Sequence, residues 1–84
     1  MSDHMLAAPH DERMREAYAR MSGQIALAFA YLAETEAAAA VANHINRFWS
    51  RSMRRDLGLM FDRQSLELHP LVRRAWDAIH FPSA

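Results

Sequence analysis

Asn43-His44-Ile45-Asn46-Arg47-Phe48-Trp49-Ser50-Arg51-Ser52-Met53-Arg54-Arg55 is the stretch from which the rest of the chain is best read. Four of the ten arginines fall between positions 47 and 55, beside two bulky aromatics. An arginine stacks on an aromatic face and pairs bidentately with a carboxylate or phosphate, so such a block suits docking. The competing reading places Phe48 and Trp49 in a core and leaves the arginines as a solvated face. Ser50 or Ser52 can cap the helix that follows. The block therefore reads as the end of one helix, a tight turn and the start of another.

Working backward, Ala37 to Ala40 are strong helix formers, and Ala38, Val41, Ile45 and Phe48 continue one apolar stripe. On this stripe Phe48 and Ile45 pack inward and Trp49 lies on its edge, while Asn43 and Arg47 face away and His44 takes the opposite edge. Thr35 is placed to cap this helix, and Ala33 to Glu36 break the apolar face before it. Earlier still, Met14, Tyr18, Met21, Ile25, Phe29 and Leu32 recur at intervals of three and four, one side of a long helix. Arg13, Glu16, Arg20 and Gln24 fall on its other side. Asp11 and Glu12 suit its positive end. Gly23 costs this helix about 1 kcal/mol relative to Ala and offers a place where a second backbone could approach. Residues 1–10 have no period and read as a flexible lead-in to a single helical domain over 11–84. The two long helices read as an antiparallel hairpin.

Working forward, Met53, Leu57, Met60 and Phe61 share a face of a third helix, with Arg55 and Asp62 outward and Arg54 at the apolar edge. Gly58 and the run Asp62-Arg63-Gln64-Ser65 weaken its far end. Pro70 suits the first turn of a last helix, whose apolar side is Leu71, Val72, Ala75, Trp76 and Ile79 and which Pro82 ends. No segment alternates with period two for long enough to make a strand. The expectation is an all-α fold, a small bundle of three to four helices.

Composition narrows the function. With 84 residues and no cysteine, the chain has neither disulfides nor thiolate metal sites to support a small core. Ten basic residues, all arginine, balance ten acidic ones, which argues against a dedicated nucleic-acid binder. No apolar run approaches the roughly 18 residues of a membrane span, and the start lacks a signal peptide's pattern. A cytoplasmic protein without membrane contact is expected.

No catalytic arrangement emerges. Ser50 and Ser52 lie near His44 without an elbow or a separate acid. The histidines at 4, 10, 44, 69 and 80 never pair at metal-ligand spacing, and Gly23 and Gly58 are the only glycines. His69 reads as a loop residue at a helix entrance. Two short helices around Ser50–Ser52 leave a helix-turn-helix alternative, with Arg51, Arg54 and Arg55 near the start of the reading helix. Trp and Arg are favoured protein-interface anchors, and with a neutral total they suit a protein partner better than a polyanion. The expected partner-binding residues are Arg47, Trp49, Arg51, Arg54 and Arg55. Neither catalytic, cofactor-binding nor metal-binding residues are expected in this chain.

Four segments carry a resemblance. Met21-Ser22-Gly23-Gln24-Ile25, Ala42 to Trp49, Met53-Arg54-Arg55 and Leu68-His69-Pro70-Leu71-Val72 resemble the delta subunit of soluble NAD-dependent formate dehydrogenases, in order and spacing, over about 18–78. The most specific piece is HI-x-RFW-x3-MRR from His44 to Arg55. Ser50-Arg51 stands where that family usually has an Asp-Pro-like pair, which keeps a capping residue and loses the proline stop. The resemblance implies a small accessory subunit in a hetero-oligomer with a larger catalytic subunit of formate dehydrogenase. It also implies that the molybdenum or tungsten pyranopterin, iron–sulfur clusters, flavin and NAD belong to partner subunits.

Overall fold

The computed structural model describes the backbone of residues 2–83 and the side chains of residues 12–83. Four helices follow one another: α1 Ser2–Phe29, α2 Glu34–Phe48, α3 Arg51–Met60 and α4 Pro70–Ala75, the last running into a 3₁₀ turn at Trp76–Ala78. No strand occurs among the described residues, so the all-α expectation holds. Tyr18 meets Trp49 and Phe29 meets His44, so α1 and α2 run antiparallel as expected of a hairpin. Helix α2 is central, packed against both α1 and α4.

Small residues make that central position possible. The buried positions of α2 are Ala37, Ala38, Val41, Ala42 and Ile45. Opposite them on α1, Ser22 and Ala26 are wholly buried. Alanine and serine project little beyond the helix backbone, so neighbouring helices can close in. The Ser22 hydroxyl donates to the Ala19 carbonyl at 3.1 Å, a back-bond that satisfies it without a partner helix. Larger side chains fill the space that remains. Ile45, Leu57, Leu68, Val41 and Val72 are essentially inaccessible, each contributing about 1.5–3 kcal/mol relative to an exposed position.

Several helix ends differ from their expected places. Helix α1 is continuous from Ser2, so Asp11 and Glu12 lie within it rather than at its start. The side chains of the expected lead-in, residues 1–10, lie outside the described residues. Thr35 does not cap α2: the cap position is Ala33, which has no side-chain hydrogen bond, and Glu34 and Glu36 supply the favourable negative charge of the first turn. Nothing approaches within 4 Å of a Cβ added at Gly23, so the close helix contact falls at Ser22 and Ala26 instead. Of the two serines that could cap α3, Ser50 does so, its hydroxyl accepting from the Met53 N–H at 3.1 Å.

Between α3 and α4 the chain turns on Asp62 and Ser65. The Asp62 carboxylate accepts from the Gln64 N–H at 2.8 Å, and the Ser65 hydroxyl accepts from the Asp62 N–H at 2.9 Å. This reciprocal pairing delivers Leu68 into the core and brings His69 to the entrance of α4. There His69 Nδ1 accepts from the Leu71 N–H at 3.0 Å and Pro70 occupies the first turn. Pro82 does not end the last helix. Regular helix stops at Ala75, the 3₁₀ turn at Ala78, and Ile79 enters an extended segment.

Candidate docking surface

The five residues expected to dock do not share one surface. Arg47, Arg51 and Arg55 are exposed. Trp49 is 7 % exposed and belongs to the core, its ring 5.7 Å from that of Tyr18. Phe48, expected inward, is 66 % exposed. The aromatic pair is therefore reversed relative to the sequence reading.

The reversal has a geometric cause. At about 100° per residue Trp49 falls between the buried Ala38 and Ala42, and Phe48 between the buried Ala37 and Val41, so angle alone does not separate the pair. Position along the axis does, because α2 ends at Phe48. The Trp49 backbone is extended while its N–H still bonds the Ile45 carbonyl, which turns the indole under the bundle.

Outward, Phe48 stands in a small polar–aromatic cluster. The Arg47 guanidinium lies 5.5 Å from its ring centre, and the His44 ring lies 4.7 Å away on a line leading to Phe29. Arg51 occupies the first helical position of α3, and Arg55 follows one turn later on the same side. The first turn of α3 contains no acid. Cations at a helix N-terminus oppose its dipole by roughly 0.3–1 kcal/mol each.

Arg54 has a different task. Its guanidinium donates to the His80 carbonyl at 2.6 Å. Asn46, on α2, donates to the Ala78 carbonyl at 3.0 Å and accepts from the His80 N–H at 2.8 Å. Together they fasten the segment after the 3₁₀ turn across the α2–α3 corner. Phe81 then lies against Gly58, where an added Cβ would meet its ring at 2.9 Å, and stacks 4.6 Å from Trp76. Arg54 is thus a half-buried structural tie rather than part of an open cationic surface. Arg55, Gly58, Leu59, Trp76, Phe81 and Pro82 line a shallow cleft beside it, of about 210 Å³.

A second tie, absent from the sequence reading, centres on Arg15. Its guanidinium pairs with both oxygens of Glu67, at 2.5 and 2.7 Å, donates to the Met60 carbonyl and lies 4.2 Å from the Phe61 ring centre. The hydrogen bond from Arg15 holds the Glu67 carboxyl below its ordinary pKa, and Glu67 in turn raises that of Arg15. Burial raises the Tyr18 phenol, and Asp56, which it faces at 3.5 Å, adds to the effect. Arg15 and Asn46 reach groups 45 and 32 residues away. Within the charged stretch of α1 from Asp11 to Glu16, nothing in the sequence marks Arg15 for such a role.

Among the described residues no group of three or more His, Asp or Glu side chains is arranged to hold a metal ion. No described helix is long and apolar enough to cross a membrane. Residues 17–76 match the family described as NADH-dependent formate dehydrogenase delta subunit FdsD, a span that includes most of the hairpin, the α2–α3 corner and α4. No curated protein and no solved structure matches the chain significantly. With that span, most of its length, the chain belongs to the NADH-dependent formate dehydrogenase delta subunit family. The match lends nothing to the helix-turn-helix alternative.

Proposed function

We propose that this chain, as a member of the delta subunit family, is a non-catalytic accessory subunit of a cytoplasmic NAD-dependent formate dehydrogenase. It docks on the larger catalytic subunit and supports assembly or stability of the complex. The observation that carries this reading is the family match over residues 17–76. The architecture supports it: the half-buried polar side chains Arg15, Asn46 and Arg54 hold helices and turns together.

The pyranopterin metal, iron–sulfur clusters, flavin and NAD belong in this reading to partner subunits. The residues of this chain do not fit those groups. It has no cysteine for cluster or metal ligation, and its two glycines stand apart on separate helices, away from any phosphate-binding loop. Its contribution to formate oxidation is to hold a neighbour.

The test is co-expression of the tagged chain with the catalytic subunit. Co-purification in a fixed ratio is expected, with less assembled enzyme when the chain is omitted. A catalytic subunit that neither co-purifies nor changes in yield, stability or activity without the chain refutes the reading.

A further inference from the structure

We propose that Phe48, flanked by Arg47, Arg51 and Arg55, is the anchor of the docking surface, and that it seats in an apolar pocket rimmed by carboxylates on the catalytic subunit. This rests on the docking reading above and adds to it which face is used and what chemistry receives it.

The first observation is the division of the aromatic pair. The fold takes Trp49 into the core and leaves its neighbour Phe48 66 % exposed. Leu27, Tyr31, Leu59 and Leu66 are also large, apolar and exposed. Phe48 differs from them in being held by an arginine at 5.5 Å and a histidine ring at 4.7 Å. A ring already positioned by its neighbours loses little freedom on binding, which is what makes an aromatic an effective anchor.

The second observation is charge. Arg47 immediately precedes the ring, and Arg51 opens the next helix three residues after it. Among the described residues neither is in an ion pair. Arg55 has only a loose 3.7 Å contact with Asp56 and carries the cationic strip on to the cleft between α3 and the Trp76–Phe81 stack. Elsewhere Arg15 pairs with Glu67, Arg63 with Asp77 and Arg74 with Glu34, while Arg13, Arg20 and Arg73 have no ion pair among the described residues; what marks this strip is that its exposed cations adjoin an exposed aromatic ring. A partner surface complementary to the strip is therefore acidic around an apolar centre.

The same pattern selects the occupant. A two-fold contact between copies would set this cationic strip against itself, because such an interface uses the same patch twice. A nucleic-acid duplex would make little use of the ring at the centre, the chain's neutral total disfavours any polyanion, and Arg54, the remaining arginine of the block, is turned to the His80 carbonyl. An acidic, pocketed surface of a different and larger chain fits both the ring and the charges.

The experiment compares the tagged wild-type chain with Phe48→Ser, Arg51→Glu and, as an exposed apolar control, Leu66→Ser, each co-expressed with the catalytic subunit. Phe48→Ser and Arg51→Glu should each lower the co-purified catalytic subunit roughly tenfold or more, as anchors do, while Leu66→Ser retains it. Arg51→Glu separates binding from folding. It puts an acid at a helix N-terminus, so its melting temperature should stay level or rise while docking is lost. If the wild type co-purifies and folded Phe48→Ser and Arg51→Glu do so equally well, the surface is wrong and the docking reading stands. If the wild type does not co-purify, both fall. Sedimentation of the isolated chain as a dimer that Phe48→Ser dissociates, or salt-sensitive binding of a DNA duplex that Arg51→Glu abolishes, overturns the choice of occupant.

Discussion

Replacing each aromatic of the Phe48–Trp49 pair with alanine separates the burial pattern of the structure from that of a bulk-weighted helical stripe. Trp49 is 7 % exposed and packs on Tyr18. A tryptophan buries on the order of 150–250 Å², and at about 25 cal/mol per Å² that amounts to roughly 4–6 kcal/mol. Compactness of the unfolded chain reduces the figure, and aromatic truncations in cores cost about 3–5 kcal/mol. A domain of this size has only about 4–13 kcal/mol in total. Trp49→Ala should therefore lower the melting temperature by more than about 12 °C, at roughly 4–8 °C per kcal/mol. Phe48→Ala removes a ring that is two-thirds exposed, so the cost should be near 1 kcal/mol. The assay is urea and thermal unfolding followed by far-ultraviolet circular dichroism, which is independent of the lost indole. Equal costs, or a greater cost for Phe48→Ala, would refute the assignment of Trp49 to the core.

Arg54→Ala and Asn46→Ala should each cost about 0.5–1.5 kcal/mol by removing hydrogen bonds to the exposed backbone of residues 78–80, and hydrogen exchange at His80 should quicken in both. Gly23→Ala should stabilise by roughly 0.4–1 kcal/mol, since its site is open, whereas Gly58→Leu should destabilise by about 1–3 kcal/mol as Phe81 is displaced; denaturant midpoints decide both. Stability should have acid and alkaline limbs. The Glu67 pKa is lower in the folded chain, so its contribution is present above the ordinary carboxylate range and disappears as pH falls through the folded value; Glu67→Gln should flatten the acid limb. The Tyr18 pKa is higher in the folded chain, so its contribution holds below about pH 10 and disappears above; Tyr18→Phe should flatten the alkaline limb.

The helices were legible in the sequence because their signals are local. Three- and four-residue spacing, the Ser50 cap and Pro70 each act within one or two turns, and each has its expected place in the structure. Thr35 has the side chain of a cap by the same logic, but Glu34 and Glu36 favour the start of α2 through the helix dipole, and the helix begins two residues earlier, with Ala33 at the cap position. The centre of the packing face was harder to read. Ser22, Ala26 and Ala42 are buried, yet hydrophobic weighting gives such small residues almost no voice. The Arg15 and Arg54 ties were hidden for another reason. Each ends on a main-chain carbonyl far along the chain, and every residue offers the same carbonyl.

The cation–aromatic block shows what composition can and cannot decide about binding. Trp49 and Arg54 have as much interface chemistry as Phe48 and Arg51. Burial removes the first two from use and leaves the second pair in place. The division follows from where α2 ends. The backbone becomes extended at Trp49 and α3 restarts at Arg51 on the Ser50 cap, so successive residues leave the corner in different directions. Inward go the indole, onto Tyr18, and the Arg54 guanidinium, to the segment that closes the bundle. Outward go Phe48 and the arginines on either side of it. The inward half ties the α2–α3 corner together, and from that corner Phe48 stands exposed with Arg47 against its ring and Arg51 exposed at the start of α3. Changes to Trp49 or Arg54 should therefore weaken docking only as far as they disturb the corner, while changes to Phe48 should weaken it with the corner intact.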